Sequence, residues 1–135
     1  MNKQTIIQQI LQNKSSAPLA SATAFAPANI ALCKYWGKRD QELNLPVTSS
    51  LSISLGDKGA TTTLSINEKK KDIVYLNGQL IDEDNSFYQR LRDYLDLFRP
   101  VTKSYYTVDA HSNIPIAAGL ASSASGFAAL ILALD

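Results

Sequence analysis

The chain has 135 residues, 45% of them apolar, which suits one globular domain with a real core and argues against disorder. Thirteen Lys and Arg against twelve Asp and Glu leave a formal charge of +1, so composition gives no reason to expect nucleic acid or an anionic membrane as a partner. One cysteine, Cys33, rules out an intrachain disulfide, and a single histidine, His111, leaves no His/Cys cluster for a metal ion.

The N-terminus Met1-Asn-Lys-Gln-Thr-Ile-Ile lacks the continuous apolar core of a secretion signal, and no run of 18 apolar residues occurs. A cytoplasmic protein with no membrane span is expected. Residues 2 to about 13 put Ile6, Ile7, Ile10 and Leu11 on one face at helical spacing, which predicts a short docking helix. Lys14 to Ala22 is small and polar around Pro18, so residues 1–22 read as an extension ahead of a domain spanning 23–135.

A strand is predicted over Thr23 to Ala26. After it, Pro27 to Asp40 gathers Lys34, Lys38 and Arg39 with Tyr35 and Trp36 around Gly37. This stretch has two readings. It can grip a charged ligand, with the lysines as point charges and the Tyr35 hydroxyl adding a directional hydrogen bond. It can equally be a solvated basic turn whose Trp36 packs. Cys33 ends the apolar run Ile30-Ala-Leu-Cys33, which predicts a buried small residue rather than a nucleophile.

Val47 to Leu55 alternates cleanly, so a half-buried strand with Val47, Leu51, Ile53 and Leu55 inward is predicted, with a turn at Asp57-Lys-Gly59. Thr61 to Ile66 and Asp72 to Leu76 are further strands, and Asn77-Gly78 signals a hairpin into Gln79-Leu-Ile81. Lys69, Lys70 and Lys71 between them read first as a solvated loop, with a contact from Lys71 to a bound anion as the sharper alternative. From an Asp84 or Asn85 cap, Phe87, Leu91, Tyr94, Leu95 and Phe98 mark an amphipathic helix that Arg99-Pro100 ends.

Ser104 to His111 is strand-like, with His111 expected to be structural, and Phe127 to Leu134 reads as a helix. Between them lies Asn113-Ile-Pro-Ile-Ala-Ala-Gly-Leu-Ala-Ser-Ser-Ala-Ser-Gly126, small residues and hydroxyls that open the helix. Free N–H groups and the positive end of the helix dipole make such a start suited to an anion, here a phosphate. The pattern is not Gly-x-x-x-x-Gly-Lys-Ser/Thr, and no charged residue occurs from Ser112 to Leu134, so cations must come from elsewhere, with Mg2+ as the natural supplement. The competing reading is a serine-rich start that caps itself and binds nothing. The whole order predicts an α+β fold, a mostly antiparallel sheet with helices packed on one side. The last helix is apolar all round and stops at Asp135, so it should be buried; a longer protein is expected, or else a short helix tucked under the sheet, or an oligomer such as a homodimer that covers it.

The segment Pro115-x-x-x-Gly-Leu-x-Ser-Ser-Ala-Ser125 resembles the second motif of the GHMP small-molecule kinase superfamily. Within it, Asn29-Ile-Ala-x-x-Lys-Tyr-Trp-Gly-Lys38, Leu43-Asn-Leu-Pro46, Ser49-Ser-Leu-Ser52, Leu76-Asn-Gly78 and Ala117 to Ala124 resemble the diphosphomevalonate decarboxylase family, from about Thr23 onward. The resemblance implies the GHMP N-terminal domain, a fold like domain 2 of ribosomal protein S5. It also implies ATP-dependent decarboxylation of (R)-5-diphosphomevalonate to isopentenyl diphosphate, with ATP and Mg2+, in isoprenoid synthesis.

Carried over by position, Tyr35, Trp36, Gly37 and Lys38 would line the substrate site, and Lys34 would lie near the transferring group. Gly119, Leu120, Ala121, Ser122, Ser123, Ala124 and Ser125 would hold ATP phosphates, and Lys71 would match a basic substrate contact. The family's catalytic aspartate and a Ser-Gly-Ser-x-x-x-Arg segment have no match within 1–135; Asp40, Asp57 and Asp109 read as turn or surface residues. The 135 residues alone are therefore expected to be inactive. A mevalonate 3-kinase of the same superfamily and a non-catalytic nucleotide-binding domain remain the alternatives.

Overall fold

The computed structural model describes residues 3–12, 19–99, 104–115 and 122–135. In chain order they form α1 (Lys3–Gln12), β1 (Ser21–Cys33), β2 (Lys38–Asp40), β3 (Leu45–Pro46), β4 (Leu51–Asn67), β5 (Ile73–Leu76), β6 (Gln79–Leu80), α2 (Ser86–Leu95), β7 (Tyr105–Ser112) and α3 (Ser122–Leu134). Five strands make one sheet in the order β1-β4-β7-β5-β6; every pairing is antiparallel except β5 with β7. β2 and β3 pair as a separate two-stranded ribbon.

The two faces of the sheet differ because side chains alternate along each strand. On β1, Ala22, Ala24, Ala26 and Ala28 turn inward, the last two fully buried. These small residues let α3 lie close to β1 and β4, where Ala129 and Leu130 are sealed. Leu64, Val74 and Val108 from the strands meet Tyr88, Leu91 and Leu95 of α2 and Leu130 and Ala133 of α3, so both helices cover one face. Phe127 contacts Phe87 at 6.2 Å and Tyr94 at 5.9 Å, edge on, and ties α3 to α2. The opposite face carries hydroxyl pairs, Ser21–Ser65 at 2.8 Å and Thr23–Thr63 at 2.9 Å across β1 and β4, beside the half-exposed Phe25.

Several elements differ from the sequence expectation. The predicted turn at Asp57-Lys-Gly59 is a bulge inside one 17-residue strand: β1 pairs Pro27 with Gly59 but Asn29 with Ser54, so residues 55–58 stand opposite Ala28. Gly56 supplies a positive φ of 62°, and Gly59 has no room for a side chain, since a Cβ would lie 2.2 Å from the Ala26 carbonyl oxygen. The predicted strand at Thr23–Ala26 likewise runs on to Cys33; of the predicted strand Val47–Leu55 only residues from Leu51 on are extended, merging with Thr61–Ile66 into β4, while 47–50 lie outside any strand. The helix predicted up to Arg99-Pro100 stops at Leu95 and continues as turns to Arg99. α3 begins at Ser122 rather than Phe127, because serine and alanine are acceptable first-turn residues.

The hairpin at Asn77-Gly78 forms as expected, with φ of 50° and 77° at the two residues, the twist that joins adjacent antiparallel strands. Asn85 caps α2 by accepting the Phe87 N–H at 2.8 Å. At the far end of α2, the buried Asp72 carboxylate takes the Arg99 guanidinium and the Tyr106 N–H at 2.9 Å. Arg99 also reaches the Ser104 carbonyl and Asp96 and lies 5.4 Å from the Tyr106 ring centre. This latch joins α2 to the starts of β5 and β7.

Candidate functional site

The register decides what meets what. Ala26 stands opposite Ala60, and Ala60 opposite Ser112, so β7 ends where β1 and β4 leave the sheet together. Past that line β1 and β4 continue as a two-stranded ribbon, Asn29–Cys33 against Leu51–Ser54. From β7 the chain passes through Asn113-Ile-Pro115 toward Ser122, where α3 opens. Gly126 and Phe127 line a cavity of about 130 Å³ together with Ser112 and His111, which puts the first turns of α3 at this same end. The helix start and the base of the ribbon are therefore neighbours.

Each part can be read locally. α3 has no acidic residue in its first turn, so no side chain there offsets the positive end of its dipole. Ser125 is buried, and Gly119, Leu120 and Ala121 lie outside the described residues. The cavity beside the helix start is apolar apart from a few groups, among them the buried Thr62 hydroxyl, which has no hydrogen-bond partner among the described residues.

Beyond the ribbon, Gly37 adopts a φ of 70° and its carbonyl accepts the Val47 N–H at 3.2 Å, while the Trp36 N–H donates to Thr48 Oγ1 at 3.0 Å. Lys38 donates to Asn44 Oδ1 at 2.6 Å, and Asp40 holds the tip of the β2–β3 turn by accepting the Leu43 N–H at 2.8 Å. The backbone is thus tied down while the side chains of Lys34, Tyr35, Trp36 and Lys38 face outward. Trp36 is 80% exposed, so it does not pack as the basic-turn reading expected.

Three further expectations are corrected here. Val47, Leu51 and Ile53 are exposed instead of half-buried, and Cys33 is exposed instead of buried. α3 leaves Ile131 and Leu132 exposed rather than buried on every side. The sheet has a single helix-covered face and the ribbon runs beyond it, which uncovers Cys33, Leu51 and Ile53, while Val47 lies outside both, after β3.

Lys71 lies at the other end. β5 runs parallel to β7 with Ile73 opposite Thr107, so Lys71 precedes the strand on the side away from Ser112. Lys71 pairs with Glu83 at 2.7 Å, and that hydrogen bond raises its pKa above the ordinary 10.5. His111 pairs with Asp109 at 3.1 Å on the face opposite the helices. Among the described residues no group of three or more His, Cys, Asp or Glu could hold a metal ion. No described helix is long and apolar enough to cross a membrane.

Sequence reading missed Asn113, whose side chain bonds both to Gly59 and to the Asp57 carbonyl, and the Asp72–Arg99 latch. A polar residue just past a strand end signals a turn but not its partner 54 residues away.

A mixed sheet with helices on one face, and a serine-rich helix start at the end of a central strand, define an N-terminal domain of the GHMP kinase type. Residues 26–135 match the model of the diphosphomevalonate decarboxylase-like N-terminal domain, and the chain belongs to that family. A diphosphomevalonate decarboxylase of Candida albicans is 44% identical over 127 residues, 84% of this chain and 35% of that protein. The crystal structure of mevalonate diphosphate decarboxylase from Staphylococcus aureus matches with a TM-score of 0.76 at 36% identity, over 85% of this chain and 35% of that one. A solved complex of MDDEF with MVAPP, AMPPCP and magnesium matches with a TM-score of 0.70 at 38% identity, over 85% of this chain and 36% of that one. The chain thus spans about a third of the length of the relatives it matches.

Proposed function

We propose that this chain supplies the nucleotide grip and part of the substrate grip for ATP-dependent decarboxylation of (R)-5-diphosphomevalonate. In that reaction the tertiary 3-hydroxyl takes the γ-phosphoryl of ATP, leaving ADP. Phosphate and CO2 then depart, and the carbon–carbon bonding pair freed with CO2 becomes the double bond of isopentenyl diphosphate. The observation that carries the proposal is the tethered, outward-facing Tyr35-Trp36-Gly37-Lys38 at the end of a ribbon whose base adjoins a helix start with no acidic residue in its first turn, in a chain of this family.

Phosphoryl transfer is mostly positioning and charge stabilisation, and each grip has a part in it. The amides from Gly119 to Ser125 and the hydroxyls of Ser122 and Ser123 hold the ATP phosphates, while the cavity next to Phe127 offers apolar surface to the base. Bound Mg2+ would neutralise charge on the terminal phosphates. Lys38 takes the substrate diphosphate, Lys34 approaches the transferring group, and Tyr35, Trp36 and Gly37 line the same site. Lys71 has no role in this reading, being paired with Glu83 at the opposite end.

The test is calorimetric titration of the chain with Mg-AMPPCP and with diphosphomevalonate. Lys38→Ala should weaken diphosphomevalonate by about 1.5–3 kcal/mol, the worth of a charge-assisted hydrogen bond, and leave the nucleotide nearly unchanged. Ser122→Ala should do the reverse. If both substitutions weakened only nucleotide, the assignment of the two grips would be wrong. ATP-dependent release of label from carboxyl-labelled substrate, by a polypeptide carrying this chain, is the matching test of the reaction.

A further inference from the structure

We infer that Asn113 is a positioning residue that sets the geometry between the helix start and the base of the ribbon. This rests on the proposed reading of those two places as grips for nucleotide and substrate.

Where β4 bulges past Ala28 its backbone loses regular ladder partners. Asn113 replaces them: its Oδ1 accepts the Gly59 N–H at 2.7 Å, its Nδ2 donates to the Asp57 carbonyl at 2.6 Å, and its own N–H donates to the Gly59 carbonyl at 3.1 Å. The task needs an acceptor and a donor on one short planar group, as a peptide unit has, and asparagine alone offers them at that length. Aspartate keeps the acceptor and lacks the donor. On its other flank the chain is also held, since the Ser112 N–H donates to Asn77 Oδ1 at 2.8 Å and the Asn77 N–H to the Ala110 carbonyl at 2.8 Å.

Two supports part at this node. Forward from Asn113 the chain runs through Pro115 to the start of α3; backward along β4 from Asp57 it enters the ribbon that leads to Tyr35 and Lys38. The node has no slack, because Gly59 sits against the Ala26 carbonyl. Asn113 itself is exposed, so its hydrogen bonds add little to stability and their value lies in where they hold the backbone. A displacement on the order of 1 Å between two reacting groups can cost up to about a hundredfold in rate, so such a node matters to the chemistry.

The experiment titrates the chain and three variants with Mg-AMPPCP and, separately, with diphosphomevalonate, at a temperature where melting curves show all four folded. Asn113→Ala should weaken both ligands about tenfold, and Asn113→Asp should fall between it and the unsubstituted chain. Tyr88→Phe, which removes the 3.0 Å bond from the Tyr88 hydroxyl to the Asp72 carbonyl, is the stability control and should melt earlier with both affinities kept. If Asn113→Ala stays within about twofold for either ligand, or Tyr88→Phe loses as much, the positioning role is overturned and the two grips stand. If the unsubstituted chain binds neither ligand at millimolar concentration, the grips and the positioning role fall together.

Discussion

Replacing Arg99 by methionine removes the cation from the latch while keeping the length of the stem. The pair is well shielded: the Arg99 side chain is 11% exposed and the Asp72 side chain 2%. Breaking a buried pair from one side leaves a carboxylate without its counter-charge, which costs about 3–5 kcal/mol, against roughly 5–15 kcal/mol for a whole domain. The Tyr106 N–H still reaches Asp72 at 2.9 Å and softens the loss, while the bond to the Ser104 carbonyl and the ring contacts disappear with the guanidinium. Urea unfolding followed by circular dichroism should show the midpoint falling with an unchanged slope, and a melting temperature lower by on the order of 10–20 °C. Adding Asp72→Asn to the same chain should restore part of the stability, since no bare charge is then buried. A loss under about 1 kcal/mol for Arg99→Met would mean the pair is not shielded, because that is the worth of an exposed ion pair screened by water.

Two glycines should respond in opposite degree. Gly59→Ala forces a methyl to 2.2 Å from the Ala26 carbonyl oxygen and 2.7 Å from Pro27 Cα, so it should cost well over about 2 kcal/mol or prevent folding, as urea titration or soluble yield will show. Gly78→Ala meets open space and strains only a φ of 77°, so about 1 kcal/mol is expected. Tyr88, Tyr94 and Tyr106 are each held above their ordinary 10.0, first by burial away from water. Their raised folded-state pKa makes the contribution complete below pH 10.0 and lost as pH rises through the folded values. Stability should therefore fall above that pH, with late ionisation in an absorbance titration near 295 nm that Tyr94→Phe reduces by one group. Early ionisation of all six tyrosines would contradict the packing around α2.

The helix signals were readable because they are local. Asn85 before the Phe87-Leu91-Leu95 spacing, and Asn77-Gly78 between two apolar runs, carry their structure within a few residues, and both formed as expected. Asp57-Lys-Gly59 was legible as a break in pattern but not as a bulge, since a reversal and a bulge use the same conformations. What told them apart was a partner strand some thirty residues earlier in the chain.

Local pattern in the chain was enough for the α2 cap, the Asn77-Gly78 hairpin, the family resemblance and the chemistry proposed for each grip, because hydroxyls, lysines and an uncharged helix start are properties of neighbouring residues. The tertiary structure alone decided which of them share an end of the sheet. Strand register put Ser112 beside Ala60 and the root of the ribbon, sent Lys71 to the far side, and set Asn113 against the β4 bulge, between the two proposed grips. It also left the alternating Leu51 and Ile53 uncovered, since alternation says which residues share a face, while only the packing of helices says whether that face is buried.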